Sequence, residues 1–155
     1  MADIVDAATR SRMMSGIRSR NTKPEMVIRK GLHRLGFRYS LHDRSLRGTP
    51  DIVLSKYGAV IFVHGCFWHG HDCALFRLPA TRTDFWREKI ARNRSNDARA
   101  KLELLRQKWR VLTVWECALR GKMPSEVDKV LNRTALWLKS SRRHADIRAT
   151  AAKAA

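Results

Sequence analysis

Eight residues, Cys66-Phe-Trp-His-Gly-His-Asp-Cys73, hold two of the chain's three cysteines and two of its six histidines, with Phe67 and Trp68 side by side between them. Thiolate sulfur and imidazole nitrogen are the ligands zinc prefers, and four of them close a tetrahedral structural site. Cys66, His71, Cys73 and the third cysteine, Cys117, supply such a set. The local Cys-x4-His-x-Cys spacing is tighter than a zinc finger's and suits a loop folded over the ion. His69 lies within the same reach, so spacing alone leaves the histidine ligand open between His69 and His71. An odd number of cysteines cannot pair completely, and the opening residues contain no secretory apolar run. Reduced thiols are therefore expected, which favours metal over disulfide.

The charge balance points to a class of partner. Thirty-two Lys and Arg against fourteen Asp and Glu leave a net charge of +18, a surface made for a polyanion, most simply nucleic acid. No apolar run approaches the ~18 residues of a membrane span, so no membrane partner is expected and the chain reads as a cytoplasmic monomer. A length of 155 residues with 44% hydrophobic content is enough for one domain with its own core.

The elements that must position these side chains follow from local signals. Thr22-Lys23-Pro24-Glu25 has the form of a capping box with proline in the first turn, and the helix it opens should reach Leu35 and stop at Gly36. Three strand-like runs follow at 37–42, 51–54 and 59–64, the last two joined by a tight turn at Lys56-Tyr57-Gly58. Thr83 is the expected cap of a long helix to Lys108, its apolar face set by Phe85, Trp86, Ile90, Leu102 and Leu105. The middle of that helix is basic, and Arg92, Arg94 and Arg99 are expected to contact phosphate, which adds affinity without sequence information. The run 110–116 is apolar enough for a strand buried on both faces, and a last helix is expected over 125–139. The chain thus divides into a basic segment 1–21, with a short helix around 9–19, a folded body 22–140, and a flexible basic tail 141–155.

In this order Pro50-Asp51 opens the second strand and His64 ends the third, beside Asp51 if the two strands form a hairpin. The arrangement resembles the PD-(D/E)xK nuclease core, a single-domain, restriction-endonuclease-like α/β fold with a mixed sheet flanked by helices. Phe62 and His64 stand where that pattern has its second acid and its lysine. The runs GTPDIV, VIFVHGCFWHGHDC, PATRTDFW and VLTVWECALRG, with the opening MADIVDAATRSRMMSGIRSRNT, together resemble the very short patch repair (Vsr) endonuclease family over roughly residues 1–122.

That resemblance implies a magnesium-dependent endonuclease with a structural zinc, acting on double-stranded DNA. Such an enzyme nicks 5′ of a thymine mispaired with guanine, the T:G lesion left when 5-methylcytosine deaminates, and hands the nick to downstream repair proteins. It implies that Asp51 binds magnesium, with the backbone carbonyl of Val63 replacing the missing acid, so that Phe62 does no harm. His69 looks like the group that activates the attacking water, with Asp97 orienting its ring. His64 would steady the phosphate or a metal-bound water, and Glu25 would add a carboxylate through water. Phe67, Trp68 and Trp86 are expected to wedge beside the mispair and Met14 to probe from the opposite groove, whereas Trp109 and Trp115 read as core. The segment 1–21 would then contact DNA and 22–140 would be the nuclease domain. Two other readings suit parts of the pattern: a restriction-like or structure-selective nuclease on the same fold, and a non-catalytic, zinc-stabilised DNA-binding module.

Overall fold

The computed structural model describes residues 20–150, so the expected helix around 9–19 and Met14 lie outside the described residues. Helix α1 spans Lys23–Arg34 with Pro24 in its first turn and Thr22 as N-cap, the Thr22 hydroxyl accepting the Glu25 N–H at 3.4 Å. The Glu25 carboxylate returns a bond to the N–H of Asn21 at 3.1 Å, one residue earlier than a regular capping box would use. Gly36, at φ +94°, takes the left-handed turn that ends the helix.

Five strands form one mixed sheet in the order β1-β2-β3-β4-β5. They are β1 (Ser40–Leu41), β2 (Ile52–Leu54), β3 (Ala59–His64), β4 (Arg110–Trp115) and β5 (His144–Ile147). The first three run antiparallel; β3, β4 and β5 run parallel. A parallel neighbour needs a crossover, and that between β3 and β4 carries the cysteine-rich loop and the long helix α2 (Thr83–Arg106). Helix α3 (Pro124–Leu138) makes the crossover from β4 to β5.

Strand periodicity divides the core into two layers. Ile52, Leu54, Ala59, Ile61, Leu112 and Val114 pack with Ile28 and Leu32 of α1 and with Leu131 and Leu138 of α3. Val53, Val60, Phe62 and Val111 face the other way, onto Leu104 of α2. A Cβ on Gly31 would stand 2.4 Å from the Leu131 methyls, so the missing side chain is what lets α1 and α3 approach.

Three expectations are corrected. The strand expected over 37–42 shrinks to Ser40–Leu41, because Phe37 turns into the core directly after Gly36. The buried rail of α2 is Ile90, Ala100 and Leu104, while Phe85 and Leu102 are 39% and 52% exposed. The tail expected to be flexible from 141 instead supplies β5, whose Ala145 and Ile147 alternate inward against β4. Its arginines mask a two-residue apolar period that is sufficient to hold an edge strand.

Candidate active site and metal centre

The α2 face of the sheet does not close at its far end, where β3 and β4 finish. There an open cleft of about 720 Å³ is lined by His42, Thr49, Asp51, His64, His69 and Asp97, with Trp115 at its side. Asp51 reaches the cleft from the residue before β2, and its Oδ2 accepts the Val63 N–H at 2.7 Å. Burial raises its carboxyl from the ordinary 3.8 to about 7, with the Glu25 charge adding to the rise and the Val63 bond opposing it. A half-sunk carboxylate beside a second one is a site that a cation would relieve.

Glu25 is that second carboxylate, only 1% exposed. Its Oε2 receives Arg29 at 3.1 Å and His42 Nε2 at 2.9 Å. Ligand atoms of Glu25, His42 and Asp51 all lie within 4.8 Å of one another. His42 escaped the sequence reading. It sits just past β1 in a left-handed turn, φ +48°, and its N–H donates to the Asp51 carbonyl at 3.1 Å.

On the opposite wall His69 Nδ1 and Asp97 Oδ2 are 2.5 Å apart, which joins the loop after β3 to the middle of α2. A carboxylate accepting the Nδ1 proton leaves Nε2 bare and directed by the ring plane. The loop can lie this close to α2 because Gly70, at φ +60°, has no side chain: a Cβ there would meet Ile90 at 2.5 Å and Arg94 at 2.9 Å. Asn93 Nδ2 adds a bond to the Trp68 carbonyl at 2.8 Å. His64 stacks on His69, its Nδ1 buried with no partner among the described residues. Burial, reinforced by the His69 charge, lowers His64 from 6.5 to about 3. In the lysine position this chain therefore offers a neutral imidazole, able to donate or accept a hydrogen bond but bringing no charge to a phosphate.

The third cluster is Cys66, His71, Cys73 and Cys117, again with all ligand atoms within 4.8 Å. Cys66 and Cys117 are buried, and none of the three cysteines is in a disulfide. His71 Nδ1 faces the Cys66 and Cys117 sulfurs at 3.5 and 3.6 Å, so the histidine of this cluster is His71, while His69 belongs to the cleft. Burial pushes the Cys66 thiol up and holds the His71 imidazole below its ordinary value. Three thiols around a neutral imidazole have no apolar reason to converge, and their donor chemistry fits a tetrahedral metal ion.

Phe67, Trp68 and Trp86 pack on each other edge to face at 5.1 to 5.7 Å, with Phe76 and Phe85 at the margin. None of the five belongs to either core layer, and Lys89 Nζ lies 5.6 to 6.0 Å from the rings of Trp68, Phe85 and Trp86. Arg92, Arg94 and Arg99 are exposed on α2. Trp109 packs against the core as expected from its sequence position. Trp115 does not: it lies flat on His71 at 3.9 Å and presents its edge to His64 at 5.3 Å.

A family model described as DNA mismatch endonuclease Vsr matches residues 2–75. The DNA mismatch endonuclease Vsr of Escherichia coli (strain K12) is 46% identical over 138 residues, which is 89% of this chain and 88% of that protein. The Type II nicking enzyme V.XorIIP of Xanthomonas oryzae pv. oryzae is 46% identical over 134 residues, 85% of this chain and 98% of its own. The Type II nicking enzyme V.NmeAIP of Neisseria meningitidis serogroup A is 48% identical over 122 residues, 79% of this chain and 87% of its own.

Proposed function

Because the chain belongs to the Vsr family of DNA mismatch endonucleases, we propose that it nicks duplex DNA 5′ of the thymine in a T:G mispair and so initiates very short patch repair. The observation that carries this reading is the placement, across one cleft, of the Asp51 carboxylate and the His69–Asp97 pair.

Asp51 and the Val63 carbonyl would hold magnesium. Odd-numbered residues of β3 direct their backbone groups toward β2, as the Val63 bond to Asp51 indicates. Continuing the register of Ile52 with Ile61 sets Pro50 opposite Val63, and proline has no N–H to give. That leaves the Val63 carbonyl without a ladder donor from Pro50, which supports it as the backbone ligand. Magnesium keeps several waters and needs few protein ligands, and when bound it supplies polarisation of the phosphate and neutralisation of charge on the reacting oxygens.

His69 Nε2 takes the proton of the attacking water, whose oxygen bonds to phosphorus as the bond to the departing sugar oxygen breaks. Asp97 holds the ring in the tautomer this requires and stabilises the imidazolium that results. His64, kept neutral, hydrogen-bonds at the phosphate or at water rather than attracting by charge. Glu25 would serve the cation through water and is itself held by Arg29 and His42. Zinc at Cys66, His71, Cys73 and Cys117 would fix the loop that carries His69. Phe67, Trp68 and Trp86 wedge beside the mispair, where defective pairing lowers the cost of unstacking, and Arg92 and Arg94 contact phosphates. Repair proteins that resynthesise and seal the strand would act on the product.

A magnesium-dependent nicking assay of parent and Asp51→Ala tests the assignment. The variant should bind mismatched duplex and not cut it. Undiminished cutting by Asp51→Ala would remove Asp51 from the site, and no cutting by the parent would favour the non-catalytic binding module.

A further inference from the structure

The four cysteine and histidine ligands are not alone at the metal centre. Strand β5 runs parallel to β4, with Ile147 beside Val114 and only 3% exposed. Strand β4 leads through Trp115 directly into Cys117, so the chain that leaves Ile147 is carried along the same edge toward the thiols. Residues on either side of Ile147 make three separate contacts there. Asp146 Oδ1 accepts the Trp115 Nε1 proton at 3.4 Å, and Trp115 lies flat on His71. The Arg148 guanidinium forks onto Asp72, donating to Oδ1 at 2.7 Å and to the backbone carbonyl at 2.9 Å. The Ala149 N–H donates to the Cys117 sulfur at 3.3 Å.

These contacts reach three parts of one shell: a ligand sulfur, the ring against which a ligand histidine stacks, and the residue between His71 and Cys73. We propose that residues 146–149 form a strap that completes the metal centre, so that metal retention depends on the strap as well as on the four ligands. The inference rests on reading the cysteine–histidine cluster as a zinc centre.

Backbone N–H groups aimed at sulfur favour the thiolate over the thiol, and charge-assisted bonds of this kind are stronger than neutral ones. The Cys117 N–H does the same for Cys66 at 3.3 Å, so the strap supplies to one thiolate what the turn after β4 supplies to another. Outer-shell partners that orient ligands are worth about 10–100-fold in metal affinity. The Arg148–Asp72 pair is exposed, with side chains 42% and 84% accessible, and as a surface ion pair alone it would contribute little. Its effect comes through the fork to the Asp72 carbonyl, which pins the backbone between two ligands. By linkage, a bound metal must in turn hold the strap down.

The test uses full-length protein. Zinc content is measured directly, and zinc retention by competition with a chromogenic chelator, for the parent, Ala149→Pro, Arg148→Ala and Arg143→Ala. Ala149→Pro deletes the donor to Cys117. Arg143→Ala is the control, since it removes a bond to the Leu105 carbonyl on the far side of the same segment. The strap predicts one zinc per parent chain and a loss of zinc affinity of about 10–100-fold in Ala149→Pro and Arg148→Ala, with Arg143→Ala like the parent. Hydrogen exchange at the Ala149 amide of the parent should also quicken when zinc is chelated. If Ala149→Pro fails to fold with zinc in excess, Arg148→Ala and the exchange measurement decide. Equal retention in all four proteins with unchanged exchange overturns the strap and leaves the zinc centre standing; a parent without zinc overturns both.

Discussion

His64 and His69 stack face to face, their ring centroids 3.8 Å apart and their planes within 4°. Two imidazoles so close cannot both carry charge cheaply, and burial settles which one stays neutral by lowering His64 to about 3. Only His69 has a carboxylate partner, Asp97. On the proposed mechanism the stack separates the roles: His69 would move the proton, and His64 would stay neutral and offer a hydrogen bond. His69→Ala should lower the single-turnover nicking rate about 10²–10⁴-fold, the usual worth of a general base, and Asp97→Asn should lower it in the same direction. Parent-like rates in His69→Ala would assign the proton transfer elsewhere.

Asp51 and His64 give folding stability opposite pH dependences over one range. Folded Asp51 keeps its proton up to about 7, whereas an ordinary carboxyl loses it near 3.8. The folded chain then holds more protons than the unfolded one, and raising the pH across that window lowers stability. Folded His64 stays neutral down to about 3, whereas an ordinary imidazole gains its proton near 6.5. There the unfolded chain holds more protons, and raising the pH increases stability. Without added divalent cation the two slopes oppose each other between about pH 4 and 6.5. Relative to the parent, the Tm of Asp51→Asn should climb with pH over this window and that of His64→Asn should fall. The reverse pattern in thermal melts would contradict both environments.

The exposed arginines on α2 should act on DNA through its charge. Binding should weaken steeply with salt as phosphate counterions are released, and each lost phosphate contact should reduce the log–log slope by about 0.9. Arg92→Ala and Arg94→Ala should flatten the slope and leave the mismatch preference unchanged. A changed preference with an unchanged slope would make these residues base readers.

The aromatic patch should carry mismatch discrimination. Trp68→Ala should lose preference for T:G over T:A more than it loses affinity for matched duplex, with a cost of about 1–3 kcal/mol if a base stacks on the indole. Competition binding with the two duplexes measures both quantities. Equal losses on both would return Trp68 to a packing role.

Much of this was legible in the chain because the relevant signals are local. The capping box at Thr22, the apolar run of β3 and the thiol-rich loop each declare themselves within a few residues. Asp51 and His69 were named through the motifs around them and Asp97 through its place in the polar middle of the long helix, and the fold brings all three to one cleft. What escaped is what depends on two distant segments meeting. His42 matters because α1 brings Glu25 to it, and nothing near Leu41 announces that. Trp115 reads as core in an apolar strand, yet β4 ends where the cysteine loop folds back, so its ring lands on His71. Strand β5 hides in a basic sequence because only Ala145 and Ile147 face inward, while the flanking arginines Arg143 and Arg148 bond the Leu105 carbonyl and Asp72. The left-handed turn at Gly70 is invisible until α2 lies against it.

Mismatch-directed nicking of one strand is open to direct assay. Parent enzyme in magnesium should be given two end-labelled duplexes, identical except that one base pair is T:G in one and T:A in the other, across several flanking sequences. A single cut is expected, on the thymine strand, 5′ of the mispaired T, with the T:A duplex left largely intact in every context. Equal cutting of both duplexes, or cutting that follows sequence or branching rather than the mispair, would contradict it and identify a restriction-like or structure-selective nuclease built on the same fold.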